Sequence, residues 1–108
     1  MDLSEEVKRM LITADTFSLK NDHPQLTPSV VLTFILEEFS ERYKNKIDRF
    51  FIIKHKALTK ALRQVDGDDS GERYSYDLVM CLYKCKRNNA SKTIGLDDFT
   101  KHLIETQL

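Results

Sequence analysis

Apolar residues recur every three or four positions along most of this 108-residue chain, which is the spacing of an amphipathic α-helix. No stretch of the sequence alternates apolar and polar residues as a half-buried strand does. The first predicted helix covers about residues 4–19. A second begins at Thr27-Pro28, where a hydroxyl cap precedes a proline at the first helical position. The apolar stripes of these two helices are Val7, Met10, Leu11, Ala14 and Phe17, then Val30, Val31, Phe34, Ile35 and Phe39.

Four more helices are predicted in the rest of the chain. Two short ones cover about 42–52 and 56–65 and precede a polar segment that reads DGDDSGE. A fifth helix, capped by Ser75, continues to residue 88, and a sixth covers about 96–105. The predicted fold class is therefore all-α. Its core is expected to bring together Leu11, Ala14, Leu82 and Phe99.

The two halves of the chain share one apolar pattern, which indicates an internal duplication. A shift of 68 residues, without gaps, aligns two helices and their loop in one half with two helices and their loop in the other. We interpret the chain as one domain with repeat one at about 1–65, an acidic linker at 66–73 and a shortened repeat two at about 74–108. The aligned pairs are Met10 with Leu78, Leu11 with Val79, Ala14 with Leu82, Phe17 with Cys85, Leu26 with Ile94, Val31 with Phe99, Ile35 with Leu103 and Leu36 with Ile104.

Two segments carry a resemblance to a known family. The first reads ADTFSLKNDHPQLTPSVVLTFILEE, with His23 in the loop and residues 26–28 at the helix start. The second reads YSYDLVMCLYKCKRNNASKTIGLDDFTKHLIE, with residues 94–95 at the corresponding point. This arrangement resembles the Clp N domain, the amino-terminal domain of Clp-type AAA+ unfoldases. Clp N domains consist of two tandem, pseudo-symmetric helical repeats, so the resemblance implies that fold here.

The resemblance also implies a function in protein binding. Clp N domains capture protein substrates or adaptors for an AAA+ ring in the same chain, and the family includes ATPases that recycle secretion sheaths. This sequence has no G-x-x-x-x-G-K-[ST] phosphate loop, so any such ring would lie outside these residues. We therefore expect a domain that recruits a protein substrate or adaptor, with no enzyme activity and no cofactor of its own.

The candidate binding site is a groove between the two repeats, flanked by two helix starts whose amide groups favour anionic or carbonyl-rich ligands. Ordinary helix capping is the alternative interpretation of these residues. In some Clp N domains an acidic residue at this point binds phosphoarginine. Asp97 holds that position in repeat two but Ser29 holds it in repeat one, which argues against phosphoarginine here. The candidate site residues are Thr27, Pro28, Ser29, Gly95, Leu96 and Asp97.

A calcium site is the alternative function. Residues 66–77 fit much of the twelve-residue EF-hand loop, with a glycine at its sixth position. Two features argue against calcium: Arg73 stands at the eighth position, which is normally aliphatic, and Asp77 is shorter than the usual glutamate at the twelfth. The candidate calcium ligands are Asp66, Asp68, Ser70 and Asp77.

Composition excludes several other classes. Lys plus Arg and Asp plus Glu number 17 each, so the net charge gives no reason to expect a nucleic-acid partner. No run approaches the ~20 apolar residues that span a bilayer, and residues 1–10 lack the pattern of a signal peptide. With two cysteines, a disulfide framework is not indicated. We therefore expect no membrane association and a cytoplasmic location.

The charge is unevenly distributed along the chain. Residues 40–63 contain eight basic and two acidic residues, a net charge of +6, whereas residues 64–77 have a net charge of −4. The basic segment is open to three interpretations: a solvated helical face neutralised by the linker, a surface that docks an acidic adaptor, or a nucleic-acid contact.

Residues that commonly do chemistry are scattered. Cys81 and Cys85 share one helix face, but no second ligand pair is present, so we expect core packing rather than zinc binding. The three histidines are far apart in the sequence, and no motif of an activated serine or cysteine occurs. The sequence therefore gives no reason to expect catalysis.

Overall fold

Six helices make up most of the chain in the computed structural model, which describes residues 2–63, 72–88 and 93–107. Strand structure among these residues is limited to two isolated bridges, so the predicted all-α class is confirmed. None of the helices in these three ranges is long and apolar enough to cross a membrane. The helices are α1 (Glu5–Lys20), α2 (Pro28–Glu38), α3 (Ser40–Tyr43), α4 (Phe50–Leu62), α5 (Tyr76–Asn88) and α6 (Leu96–Gln107).

The predicted bounds are correct to within two residues for α1, α5 and α6, and so is the predicted start of α2, whereas the bounds predicted for the middle of the chain are wrong. Helices were predicted at 42–52 and 56–65, whereas the structure has the four-residue α3 and one continuous α4. The break comes earlier than predicted because Arg49, the residue before α4, takes a left-handed conformation with φ 59°. Residues 44–49 contain no glycine or proline that would have predicted this break.

Serine side chains cap the first helix of each half. The Val7 amide donates to Ser4 Oγ at 3.2 Å, and the Leu78 amide donates to Ser75 Oγ at the same distance. A cap of this kind contributes about 1 kcal/mol. Thr27 stands at the cap position of α2 with proline next to it, but its side chain makes no capping hydrogen bond, so the predicted hydroxyl cap is not formed there.

A parallel bridge ties the beginning of the chain to the beginning of α6. It pairs Leu3 with Ile94. The Ile94 amide donates to the Asp2 carbonyl at 2.9 Å, and the Ser4 amide donates to the Ile94 carbonyl at 3.0 Å. The segments that lead into α1 and α6 are therefore held side by side.

A second parallel bridge, between Leu26 and Tyr74, does the same for α2 and α5. The Leu26 amide donates to the Arg73 carbonyl at 2.6 Å, and the Ser75 amide donates to the Leu26 carbonyl at 2.9 Å. The hydrogen-bond pattern is the same as in the first bridge: in each, one residue both donates to and accepts from the segment ahead of a capped helix.

The core is centred on α2, which packs against α1, α3, α4 and α6, while α5 packs mainly on α6. Because α2 is apolar around most of its circumference, it can be surrounded in this way. The predicted core residues Leu11, Ala14, Leu82 and Phe99 are all buried in a single hydrophobic cluster.

Candidate functional site

A polar cluster joins the start of α6 to α3 and α1. The Tyr43 hydroxyl donates to Asp97 Oδ1 at 2.7 Å, and Arg42 Nη2 donates to the same oxygen at 3.1 Å. Arg42 Nη1 also donates to both carboxylate oxygens of Glu6, at 3.0 and 3.2 Å. Arg42 thus connects the first turns of two helices by charge-assisted hydrogen bonds.

An aromatic ring extends this cluster along α1. The guanidinium groups of Arg9 and Arg42 lie 5.6 and 5.9 Å from the centroid of the Phe39 ring. Arg9 also forms an ion pair with Glu38 at the end of α2. Cation–π contacts at exposed sites contribute roughly 0.5–1 kcal/mol each. The two contacts to Phe39 therefore stabilise the turn between α2 and α3 modestly.

The cluster changes the acidity of two of its members. The hydrogen bond from Tyr43 lowers the pKa of the Asp97 carboxyl; desolvation opposes this, and the positive charge of Arg42 adds to it. Burial, together with the hydrogen bond to Asp97, raises the pKa of Tyr43 to about 12. At neutral pH Asp97 is therefore an anion that accepts a hydrogen bond from the neutral Tyr43 hydroxyl and forms an ion pair with Arg42.

The six candidate site residues differ in accessibility. In the first helix start Pro28 and Ser29 are buried and Thr27 is half-buried. In the second, Leu96 is buried and Gly95 is half-buried, with nothing within 4 Å of where a Cβ would lie. Asp97 is the one charged residue of the six. Its side chain is 63% exposed and therefore accessible to a ligand.

The two helix starts lie near opposite ends of α2. Thr27 immediately precedes α2, whereas Asp97 contacts Tyr43 in α3, beyond the other end of α2. Eleven helical residues span about 16 Å. The structure therefore does not gather the six residues at one point, and a ligand that touches both helix starts would have to extend along α2. That such a ligand exists stays a prediction.

The candidate calcium ligands Asp66, Asp68 and Ser70 lie outside the described residues. Asp77 is exposed in the first turn of α5. Arg73, at the eighth loop position, pairs with Asp15 at 2.6 Å. Within residues 2–63, 72–88 and 93–107, no group of three or more His, Cys, Asp or Glu is placed to hold a metal ion.

The two cysteines face the core of the α5–α6 pair. Both are buried and neither forms a disulfide. The hydrogen bond with Cys81, and then burial, raises the pKa of the Cys85 thiol. A protonated, buried thiol is a poor nucleophile, so Cys85 suits a packing role. The hydrogen bond with Cys85 lowers the pKa of the Cys81 thiol, and burial opposes that shift.

An exposed apolar surface that sequence reasoning missed lies on α4. Helix α4 carries four of the eight large apolar side chains that are exposed in the described part of the chain. Phe51, Leu58 and Leu62 are 72%, 42% and 66% exposed, and with His55 they follow the 4-3-4 spacing of one helix face. We call these four residues and the neighbouring Ile52 the α4 face.

The spacing of the α4 face was a usable signal in the sequence. Prediction divided this region into helices at 42–52 and 56–65, which separated Phe51 from Leu58 and Leu62 and hid their common face. The net charge of residues 40–63 indicates a basic surface but does not indicate the apolar row that lies among the basic residues. A single uninterrupted helix over this region predicts that Phe51, Leu58 and Leu62 share one helix face.

A depression of about 680 Å³ adjoins the start of α4. Its lining includes Phe51 and Ile52 from the α4 face and two cations, Lys46 and Arg49, that form no ion pair among the described residues. Asp48 is the one acidic residue in the lining. The depression therefore extends the α4 face with a mainly basic, partly apolar surface.

No family model matches the chain, and neither a curated protein nor a solved structure matches it. The function of the chain is therefore inferred from its own surfaces. The exposed apolar row on α4 and the cations near it can bind a partner through apolar contact and ion pairs. Asp97, which is paired with Tyr43 and Arg42, stabilises the start of α6 and is not a reactive group.

Proposed function

We propose that this chain is a non-catalytic protein-binding domain built from two tandem helix pairs, similar in design to the Clp N domain. Its role would be to recruit a protein substrate or adaptor, with an AAA+ ring supplying the mechanical work if the natural chain contains one. The observation that carries the binding function is the α4 face, because contiguous exposed apolar side chains on a folded domain mark protein-interaction surfaces.

The two bridges support the tandem arrangement. Leu26 and Ile94 each precede the second helix of their pair by two residues. Their partners, Tyr74 and Leu3, each precede the serine that caps the first helix of the opposite pair. Exchanging the α1–α2 pair with the α5–α6 pair thus preserves both bridges and both caps, which is what a pseudo-twofold relation requires.

The burial pattern supports the same relation with one adjustment. The capping serines, Ser4 and Ser75, are 71 positions apart, whereas Leu26 and Ile94 are 68 apart. The difference of three residues equals the difference in length between α1, with 16 residues, and α5, with 13. At a shift of 71 the buried residues of the first helices pair as Val7 with Leu78, Met10 with Cys81, Leu11 with Leu82 and Ala14 with Cys85.

The gene sequence downstream of Leu108 tests the link to an unfoldase. An in-frame AAA+ module with a G-x-x-x-x-G-K-[ST] loop is the expected finding if the ring lies in cis. A stop codon at that point would contradict a ring in cis and would favour an adaptor that acts in trans.

Affinity capture followed by reconstitution tests the binding function. The folded chain is used as bait in an extract of its source organism, and each captured protein is then purified and titrated against the chain. We expect at least one protein to bind in purified form with a defined stoichiometry. If every captured protein fails to bind once purified, the proposal is wrong.

A further inference from the structure

We propose that the α4 face binds an acidic, amphipathic helical segment of a partner protein. The inference rests on the proposed function, that the chain binds a protein, and adds where the partner lies and what its chemistry is. Three features of α4 carry it: its apolar row, the cations beside that row, and its length.

The apolar row lies on a helix that is already anchored by its other side. Phe50, Ala57 and Ala61 face the core and are buried. Phe51, Leu58 and Leu62 project beside that buried stripe, so α4 has two apolar sides and only one of them has a partner among the described residues. A second apolar stripe on an anchored helix is what helix-in-groove recognition uses, because the partner reads side chains at i, i+4 and i+7 spacing.

Cations run parallel to the apolar row. Ile52, Lys56 and Arg63 follow the same helical spacing one position further along, and Lys56 and Arg63 are both exposed. Neither forms an ion pair within the described residues, whereas Lys54, on the opposite edge of the row, is paired with Glu37 at 2.7 Å. The available charge on this side is therefore positive, and its complement is a row of carboxylates on the partner.

The dimensions suit a short helix. Phe51 and Leu62 are eleven residues apart, which is about 16 Å or three turns. A partner helix of that length presents three or four apolar side chains to the row, and its acidic side chains reach the cations alongside.

Two other occupants fit less well. A symmetric dimer through this face would bring Lys56 and Arg63 of one copy against the same residues of the other, and like charges at an isologous contact repel. An anionic membrane would favour the cations, but the exposed apolar row is one residue wide and lies beside a stripe of α4 that is fixed in the core.

Peptide titration followed by amide NMR tests the proposal. The probe is a synthetic peptide of about 15 residues with leucine at i, i+3, i+4 and i+7, glutamate at the positions that flank the leucine stripe, and alanine elsewhere to favour the helix. Its control has lysine in place of glutamate. We expect saturable shifts confined to α4 and residues 44–49 with the acidic peptide only. Raising the salt from about 50 to about 300 mM should weaken the binding.

Matched charge reversals locate the contact. The double variant Lys56→Glu, Arg63→Glu should weaken the acidic peptide by roughly tenfold, whereas Lys84→Glu, Lys86→Glu on α5 makes the same change in net charge and should leave the affinity within roughly twofold. All four residues are exposed, so both variants should keep the helical spectrum of the parent.

Several outcomes would overturn the inference. They are shifts that map away from α4, equal losses in the two double variants, self-association in sedimentation velocity that requires the α4 face, or α4-dependent binding to phosphatidylserine vesicles with none to the acidic peptide. Failure of the α4 site can be distinguished from failure of the protein-binding function. A captured protein that binds the Lys56→Glu, Arg63→Glu chain as tightly as the parent contradicts the α4 site but supports the binding function. If no protein partner is found, both are contradicted.

Discussion

At the scale of single residues, the best-defined local chemistry is the contact between Tyr43 and Asp97. Sequence reasoning selected Asp97 as a possible ligand-binding acid, and the structure places it 2.7 Å from a phenolic hydroxyl and 3.1 Å from a guanidinium. Neither partner was predictable from the sequence, since Tyr43 and Arg42 lie more than fifty positions away along the chain. A side chain's long-range partners depend on tertiary packing, which local patterns do not encode.

Removing the Tyr43 hydroxyl should raise the pKa of Asp97 toward its ordinary value of 3.8, because the hydrogen bond from that hydroxyl is the largest cause of the lowering. A carbonyl-detected NMR titration of Tyr43→Phe against the parent measures this. Tyr74→Phe is the control, since Tyr74 precedes α5 and pairs with Leu26 rather than with the α6 start. An Asp97 pKa that is the same in Tyr43→Phe and the parent would contradict the assignment.

The same contact sets the sign of a pH effect on folding. Because the folded-state pKa of Asp97 is lowered, its stabilisation is present above pH 3.8 and is lost as the pH falls through the lowered value. The Asp97 side chain is 63% exposed, so its share is no more than about 1 kcal/mol. Denaturation of Asp97→Asn should differ from the parent at neutral pH and converge with it in acid; a constant difference across the range would argue against the linkage.

At the scale of elements, the sequence was informative where capping and periodicity agree. Ser4 and Ser75 mark the starts of α1 and α5, and Pro28 marks the start of α2. It was misleading between α3 and α4, because a left-handed Arg49 has no sequence signature of the kind that glycine provides. The bridges at Leu26 and Ile94 were equally hidden, since each involves one residue and no strand pattern accompanies it.

The caps give an element-scale prediction. Ser4→Ala and Ser75→Ala should each lower the free energy of unfolding by about 1 kcal/mol, because each removes the acceptor of a first-turn amide. Thr27→Ala is the matched control: Thr27 holds the same position before α2, but its side chain makes no capping hydrogen bond. Urea denaturation measures all three, and a loss for Thr27→Ala as large as for the serines would show that the caps are not the cause.

At the scale of the whole molecule, all the helices share one core. Four residues expected to lie together from the aligned halves, Leu11, Ala14, Leu82 and Phe99, are buried in the same cluster. The core was predictable because apolar spacing reports burial directly. The 4-3-4 spacing of the α4 face is present in the sequence, but dividing this region into two helices hides it. Which of the two apolar sides of α4 is covered depends on tertiary packing.

A charge placed in that core should unfold the domain. Leu82→Asp buries an unpaired carboxylate, which costs several kcal/mol against a total stability of about 5–15 kcal/mol. Tyr83→Asp makes a comparable change one position away, where the side chain is exposed, and should stay folded. Circular dichroism during heating compares the two; an unchanged melting temperature for Leu82→Asp would contradict the assigned core.

Calcium provides a test of the alternative function at this scale. A ligand that binds only the folded chain raises its melting temperature by an amount that grows with the logarithm of the ligand concentration relative to the dissociation constant. The proposed protein-binding function predicts no shift when calcium is added at about 1 mM or removed by chelation. A rise that Asp66→Asn and Asp68→Asn abolish would replace that function with the EF-hand-like one.

Calorimetric titration of a purified captured partner into three forms of the chain measures whether the folded chain binds a protein. We expect saturable binding with one stoichiometry to the parent and to Tyr83→Asp, and none to Leu82→Asp, because binding requires the fold that Leu82 maintains. Saturable binding to no captured protein, or equal binding to the Leu82→Asp chain, would contradict this expectation.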